Sequence, residues 1–301
     1  QDVLCICVLS VLCGCQNAEE MQDWGRKEEP WLRTFLSLPH GIPSQDTYLR
    51  VLAALDPKQF RNAFASWVTQ VLAPLGFAAQ VAIDGKTSRG SGSTLRGQSP
   101  VHLVSALACD WGLVLGQTRT ADKSNEIVAI PQLLRALNLQ GALVTIDAMG
   151  CQVEIADKIV AHKADYPLAL KGNQPTLEAD VVDYFRTAPA AELITKTTVE
   201  KGHGRIETRT YICSAPLDIE RTAKAIRGHW AVESMHWLLD VEFGDDLSRY
   251  RTGHGAKNMA VVRRFALDLL RNHKTTGSIK TRRKRASWSP DFLLQVLQIT
   301  R

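Results

Sequence analysis

Three carboxylates lie where a charge needs a reason. Asp84 closes the apolar run Val81-Ala82-Ile83, Asp147 closes Leu143-Val144-Thr145-Ile146, and Glu233 follows in a stretch with helical periodicity. A carboxylate at the end of an apolar strand loses hydration, so it must find a partner or shift its pKa. Two such strand ends point to a bound cation, and carboxylate oxygens are hard ligands suited to Mg²⁺ or Mn²⁺. Three carboxylates on three elements can hold two divalent ions. A pair about 3.5–4 Å apart activates a water or a 3′-hydroxyl and stabilises the leaving oxygen in phosphodiester chemistry.

Such a centre also needs cations for the scissile and flanking phosphates. Lys86 and Arg89 follow Asp84, Lys171 follows the fifth strand expected, Arg227 precedes Glu233, and His203 and Arg205 lie in a hairpin between the second and third acids. Each alone is an ordinary surface charge; together, in loops that follow strands, they form a candidate phosphate grip. His229, Glu233, His236 and Asp240 fall at steps of four, three and four, which places them on one helix face. A zinc hydrolase built on His229, Glu233 and His236 is therefore a second reading, although H-x₃-E-x₂-H is not a usual zincin spacing.

The elements that would position these residues follow from periodicity. Residues 1 to 78 read as helices: an apolar one over Val3–Leu12, one around Trp31–Leu36, one capped by Ser44 and running through Leu52, and one opened by Asp56-Pro57. They could form a helix-turn-helix or a bundle that supports the next domain. Strands then follow at Val81–Asp84, Val101–Cys109 and Gly112–Arg119, the last two as a hairpin, after a loop over Gly85–Pro100. A helix from Pro131 to Leu139, a strand to Asp147, a helix from Val153 to His162 and a strand over Tyr166–Leu170 complete the order β-β-β-α-β-α-β-α with the helix Thr176–Phe185. This is an α/β pattern: a mixed sheet with helices on its faces. Two β-rich runs, Ile194–Val199 and Ile206–Cys213, interrupt it before one long helix over Ile219–Phe243 and a last one over Ala256–Arg271.

Composition narrows the class. The 301 residues are 45% hydrophobic with a net charge of +5, enough for a sizeable core. Lys274 to Arg285 holds six basic residues and no acid, a block that suits a polyanion such as nucleic acid. Of the seven cysteines, Cys109, Cys151 and Cys213 lie singly in apolar surroundings and read as reduced core residues of a cytosolic protein. The pairs Cys5/Cys7 and Cys13/Cys15 lack histidine and the C-x₂-C spacing of zinc sites. Val3–Leu12 is too short to span a membrane and lacks the basic start of a signal peptide. A beginning at Gln1 rather than Met reads as trimmed.

Five segments in order resemble the DDE transposases of bacterial insertion sequences, above all the H-repeat-associated group: Ile83-Asp84-Gly85-Lys86-Thr87, Thr145-Ile146-Asp147-Ala148, Lys171-Gly172-Asn173-Gln174, Gly202-His203-Gly204-Arg205-Ile206-Glu207 and His229-Trp230-Ala231-Val232-Glu233. Gly41-Ile42-Pro43-Ser44 with Asp46-Thr47 is similar to that group's N-terminal associated region, and Leu239-Asp240-Val241 with Arg249 and Asn258 to its C-terminal part. The resemblance implies a ribonuclease-H-like catalytic domain over 79–301 with a β-rich insertion at about 190–217, preceded by a helical region over 1–78 that could recognise DNA ends. It implies Asp84, Asp147 and Glu233 as catalytic metal ligands, two Mg²⁺ ions with Mn²⁺ as a substitute, and DNA contacts from Lys86, Arg89, Lys171, Asn173, Gln174, His203, Arg205, Arg227, His229 and Arg249. The expected partners are element terminal inverted repeats and target DNA, with a homodimer on paired ends, in the cytoplasm at the bacterial nucleoid and without a membrane. One departure stands out. Where relatives often carry a Tyr/Arg/Glu/Lys signature, this chain has Ile226, His229, Glu233 and Asp240, so their grip on flanking DNA and any hairpin step do not carry over. An inactive DNA-binding remnant is the alternative.

Overall fold

The computed structural model describes residues 1–72, 79–120, 126–187, 195–200, 203–214 and 218–297. Its centre is a six-stranded mixed sheet ordered β3-β2-β1-β4-β5-β8. The strands are β1 (Gln80–Ser88), β2 (Val101–Ala108), β3 (Leu113–Thr120), β4 (Leu143–Ile146), β5 (Pro167–Leu170) and β8 (Thr210–Cys213); β6 (Thr195–Glu200) and β7 (His203–Thr208) pair separately as a hairpin. β1 to β3 form an antiparallel meander, β4 and β5 run parallel to β1, and β8 returns antiparallel to β5. With α5 (Glu126–Arg135), α6 (Val153–Ala161) and α7 (Pro175–Thr187) interleaved, the order is the expected β-β-β-α-β-α-β-α of a ribonuclease-H-like fold.

Alternation along β1 sorts the two layers. Val81 and Ile83 join Val104, Ala106, Val144 and Ile146 in a core covered by α5 and α6. Ala82, Leu107 and Val114 face the opposite side. That second core is shared by α1 (Asp2–Leu12), α2 (Ala18–Leu32), α3 (Gln45–Ala54), α4 (Pro57–Leu72), α9 (Trp230–Val241) and α10 (Gly255–Asn272), through residues such as Leu9, Met21, Leu52, Phe64, Leu239 and Leu267. The N-terminal helices thus share one apolar interior with the helix that carries Glu233. Among the described residues no helix is long and apolar enough to cross a membrane.

Several expected boundaries move. β1 does not stop at Asp84 but runs to Ser88, because Gly85 to Ser88 continue the ladder with β2. α5 already includes Glu126, the first described residue after 120, and keeps Pro131 inside it. It forgoes one hydrogen bond there, while Ala129, Ile130, Leu133 and Leu134 hold both halves on the sheet. The run Ile206–Cys213 splits, and its second part joins the main sheet as β8. The single long helix over Ile219–Phe243 is two, α8 (Ile219–Gly228) and α9, meeting at His229. Beyond α10 lie α11 (Ile279–Trp288) and α12 (Pro290–Val296).

α11 corrects the reading of the basic block. Arg282 donates to the carbonyls of Leu270, Arg271 and His273 at the end of α10. Arg283 is buried, donates to the carbonyls of Val11 and Glu242, and lies 4.2 Å over the Phe243 ring. Arg285 reaches Thr275 and Thr276. Three of the six cations therefore satisfy carbonyls at helix ends and in the loop after α10, while Lys274, Lys280 and Lys284 face solvent.

Candidate active site

Ile83 of β1 pairs with Ile146 of β4 in parallel register. Asp84 and Asp147 each follow that rung, so two strands about 4.8 Å apart deliver them side by side. Asp84 shares the Ala82 face, toward α9, and α9 packs on β1 and brings Glu233 to the same edge. Asp147, Glu233, His229, Arg227 and Lys171 line one cavity of about 150 Å³, walled also by Arg209, Tyr211 and Trp230.

The charges at this edge feel one another. Burial pushes the Asp84 carboxyl up, but the hydrogen bond and charge of His236, the Gly85 N–H and His229 outweigh it, and its pKa falls below the usual value. His236 Nδ1 stands 3.3 Å from Asp84 Oδ2. Asp147 moves the other way: loss of hydration, then the charges of Asp84 and Glu126, raise it against the N–H groups of Met149 and Gly150. Burial lowers the His229 pKa despite the pull of Asp84, Glu233 and Asp147. Its Nδ1 is 3.0 Å from Thr145 Oγ1, which ties the α8–α9 break to β4.

The donor set suits a hard divalent ion. These are carboxylate oxygens, and the repulsion between Asp84 and Asp147 is what a cation would relieve. Among the described residues, however, no three His, Cys, Asp or Glu side chains surround one point as placed, since Asp84 is turned onto His236. The same holds for the row His229, Glu233, His236 and Asp240. His229, His236 and Asp240 meet Thr145, Asp84 and Lys86 of the sheet while Glu233 is exposed at the cavity, and the two imidazoles do not converge with Glu233. The N-terminal cysteines are free thiols, with Cys7 and Cys15 pushed by burial up to about 12.

The candidate phosphate contacts divide. Lys171, Arg227 and Arg89 are exposed, the first two at the cavity. Lys86 is not available: only 7% exposed, its Nζ lies 2.6 Å from Asp240, 3.2 Å from Asp246 and 3.9 Å from Asp245. A lysine two residues beyond Asp84 on the same strand face necessarily points at α9 rather than at solvent, and this corrects its assignment to DNA. Asn173 and Gln174 spend their amides on the carbonyls of Ala148 and Cys151, 2.7 and 3.1 Å away, and so brace the turn behind Asp147. Arg249 is exposed but lines a different cavity, with Asn17, Gln45 and Tyr250. His203 and Arg205 lie on β7 opposite Glu200 and Thr198, and their side chains fall outside the described residues.

Two residues beside the centre escaped the sequence reading. Glu126 Oε1 and His102 Nε2 lie 2.6 Å apart in the interior, and His102 Nδ1 is 2.7 Å from Thr87 Oγ1. They clamp the face of β1 opposite Asp84. A lone histidine in the apolar strand Val101–Ala108 was the available signal, since a buried imidazole must find a partner.

The model of the family described as Transposase DDE domain matches residues 76–269, and that described as DDE_Tnp_1-associated matches residues 1–68. The chain belongs to the DDE transposase family. It is 35% identical to a protein of Escherichia coli O157:H7 provisionally named transposase YncI, over 98% of this chain and 88% of that one. It is 31% identical to the H repeat-associated protein YhhI of Escherichia coli K12, also provisionally named a transposase, over 98% and 91%. An uncharacterized Xanthobacter autotrophicus protein from the dhlA 3′ region is 43% identical over 72% and 74%. A cryo-EM structure of the piggyBac transposase synaptic complex with hairpin DNA overlays with a TM-score of 0.48 at 10% identity, covering 99% of this chain and 73% of that one. Membership makes the DDE chain a transposase, of a family that cleaves DNA and generally uses divalent metal ions.

Proposed function

We propose that this transposase cuts and rejoins phosphodiester bonds at insertion-sequence ends, with Asp84, Asp147 and Glu233 as its metal-holding acids. The observation that carries the reading is the parallel rung Ile83–Ile146, which sets two of the acids together beneath the helix bearing the third. Divalent ions held there, Mg²⁺ or Mn²⁺, would activate the attacking oxygen and neutralise charge on the leaving one. Asp84 exchanges its His236 contact for that role. Lys171 and Arg227 border the same cavity and meet the flanking phosphates. His229 presents a neutral ring, because its lowered pKa keeps it uncharged at pH 7. Water attacks first, and the freed 3′-hydroxyl then attacks target DNA; no residue of the chain forms a covalent link to DNA. The helices of residues 1–72, packed on α10 and β3, are the proposed reader of the terminal repeats, and two protomers pair the two ends.

The test is nicking of a DNA carrying the element's terminal repeat, with Mg²⁺ or Mn²⁺ supplied. Asp84→Asn abolishes nicking and leaves end binding within about twofold. Parallel loss of binding and cutting, or a variant that still cuts, would overturn the assignment. Wild-type protein that binds ends yet never nicks would instead identify a DNA-binding remnant.

A further inference from the structure

β1 and α9 are joined by two polar rungs. Asp84 meets His236 at 3.3 Å, and Lys86 meets Asp240 at 2.6 Å. Asp84 and Lys86 are two apart on a strand, about 6.7 Å along it, while His236 and Asp240 are four apart on a helix, about 6 Å along its axis. The repeats match, and the order inverts: the acid stands on the strand in the first rung and on the helix in the second. Glu233 lies one turn before His236 on the same face of α9.

The second rung is anchored from behind. Lys86 also meets Asp246 at 3.2 Å; the neighbouring Asp245 accepts from Ser88 Oγ at 2.7 Å and from Arg263 Nη1 at 3.0 Å. Lys86 is thus fixed to β1, to α9 and to the turn Asp245–Leu247 at once. Without it the polar tie between β1 and α9 would rest on His236 alone, leaving the register of the helix to the apolar packing of Val232, Met235 and Leu239.

We propose that Lys86 is a positioning residue for the third acid: through Asp240 it sets the register of α9 on β1 and so the placement of Glu233 beside Asp84 and Asp147. This rests on the catalytic reading above.

The test uses the full chain with Lys86→Met, Asp240→Asn and the double variant. It measures Mn²⁺ binding by calorimetry without DNA, end-binding affinity at several salt concentrations, and kcat for nicking. Each single variant should lose 10–100-fold in Mn²⁺ affinity and a comparable factor in kcat, as disturbed supports of ligands do. DNA affinity should stay within twofold, and the double variant should be no worse than either single one. Should Lys86→Met fail to fold, Asp240→Asn carries the same test. Unchanged Mn²⁺ affinity in the variants overturns the proposal. So does weakened DNA binding with a salt slope reduced by about one, the signature of a lost phosphate contact. Asp84→Asn, run in parallel, separates the two readings: if it still binds Mn²⁺ and nicks, the catalytic assignment is wrong, whereas if it loses both while Lys86→Met keeps both, only the positioning role is.

Discussion

Gly85 sits between Asp84 and Lys86, and replacing it by alanine probes how tightly the strand is held. A Cβ there would stand 2.6 Å from His102 Nε2 and 2.6 Å from Glu126 Cδ, and would also collide with Glu126 Oε1. Neither neighbour can step aside. His102 is held on both ring nitrogens, and both residues are buried. Overpacking a filled interior costs roughly 1–3 kcal/mol, and parting a buried hydrogen-bonded pair adds roughly 1–3. Gly85→Ala should therefore lose about 2–6 kcal/mol in denaturant unfolding if the pair gives way. If the strand gives way instead, Asp84 moves, and a displacement near 1 Å lowers the nicking rate on the order of 100-fold. The loss should be less than additive with Glu126→Ala, which removes part of the obstacle. A variant within about 0.5 kcal/mol of wild-type stability that also nicks within twofold would refute the clamp.

Asp245 is buried. Burial raises its pKa, but Arg263, Arg264, Lys86 and Ser88 outweigh that and hold it below the ordinary value. A depressed carboxyl contributes stability above its unfolded pKa and loses it as pH falls through the folded one. Asp245→Asn should therefore cost roughly 3–5 kcal/mol at pH 7, by leaving buried cations uncompensated, and flatten the fall in stability below about pH 4; an unchanged acid limb in pH-dependent unfolding would contradict this. Lys171→Ala and Arg227→Ala should each weaken binding to any DNA and lower the salt slope by about one, while Arg283→Ala lowers stability by about 1–3 kcal/mol per carbonyl left unpaired and spares DNA binding. Binding titrations against salt and unfolding curves on the three variants decide both halves.

Much of the centre could be read from the chain alone because strand and helix periods place side chains before any packing is known. Two apolar runs ending in aspartate announced adjacent strands, and the spacing from His229 to Asp240 announced a face, of which His229, His236 and Asp240 meet the sheet. Exposure was less legible. Lys86 and Arg89 look alike in sequence, yet Lys86 is buried on β1 beneath α9 while Arg89, just past the strand's end, is exposed and 3.7 Å from Asp246. The basic block looked like a polyanion site because nothing local reveals that carbonyls from α1, α9 and α10 claim its arginines. The pairing of His102 with Glu126 spans 24 residues and two elements, and the break at His229 depends on the Thr145 hydroxyl beneath it.

The contact from Arg283 to the Val11 carbonyl, with Cys13 Sγ 3.4 Å from the Ala286 carbonyl, ties α1 to α11. α1 therefore acquires its final neighbours only once synthesis has passed α11, 272 residues further along. A gene copy interrupted upstream of that arginine would yield a polypeptide with an open apolar flank, fit for degradation rather than for a quiet afterlife as a repressor of its own element.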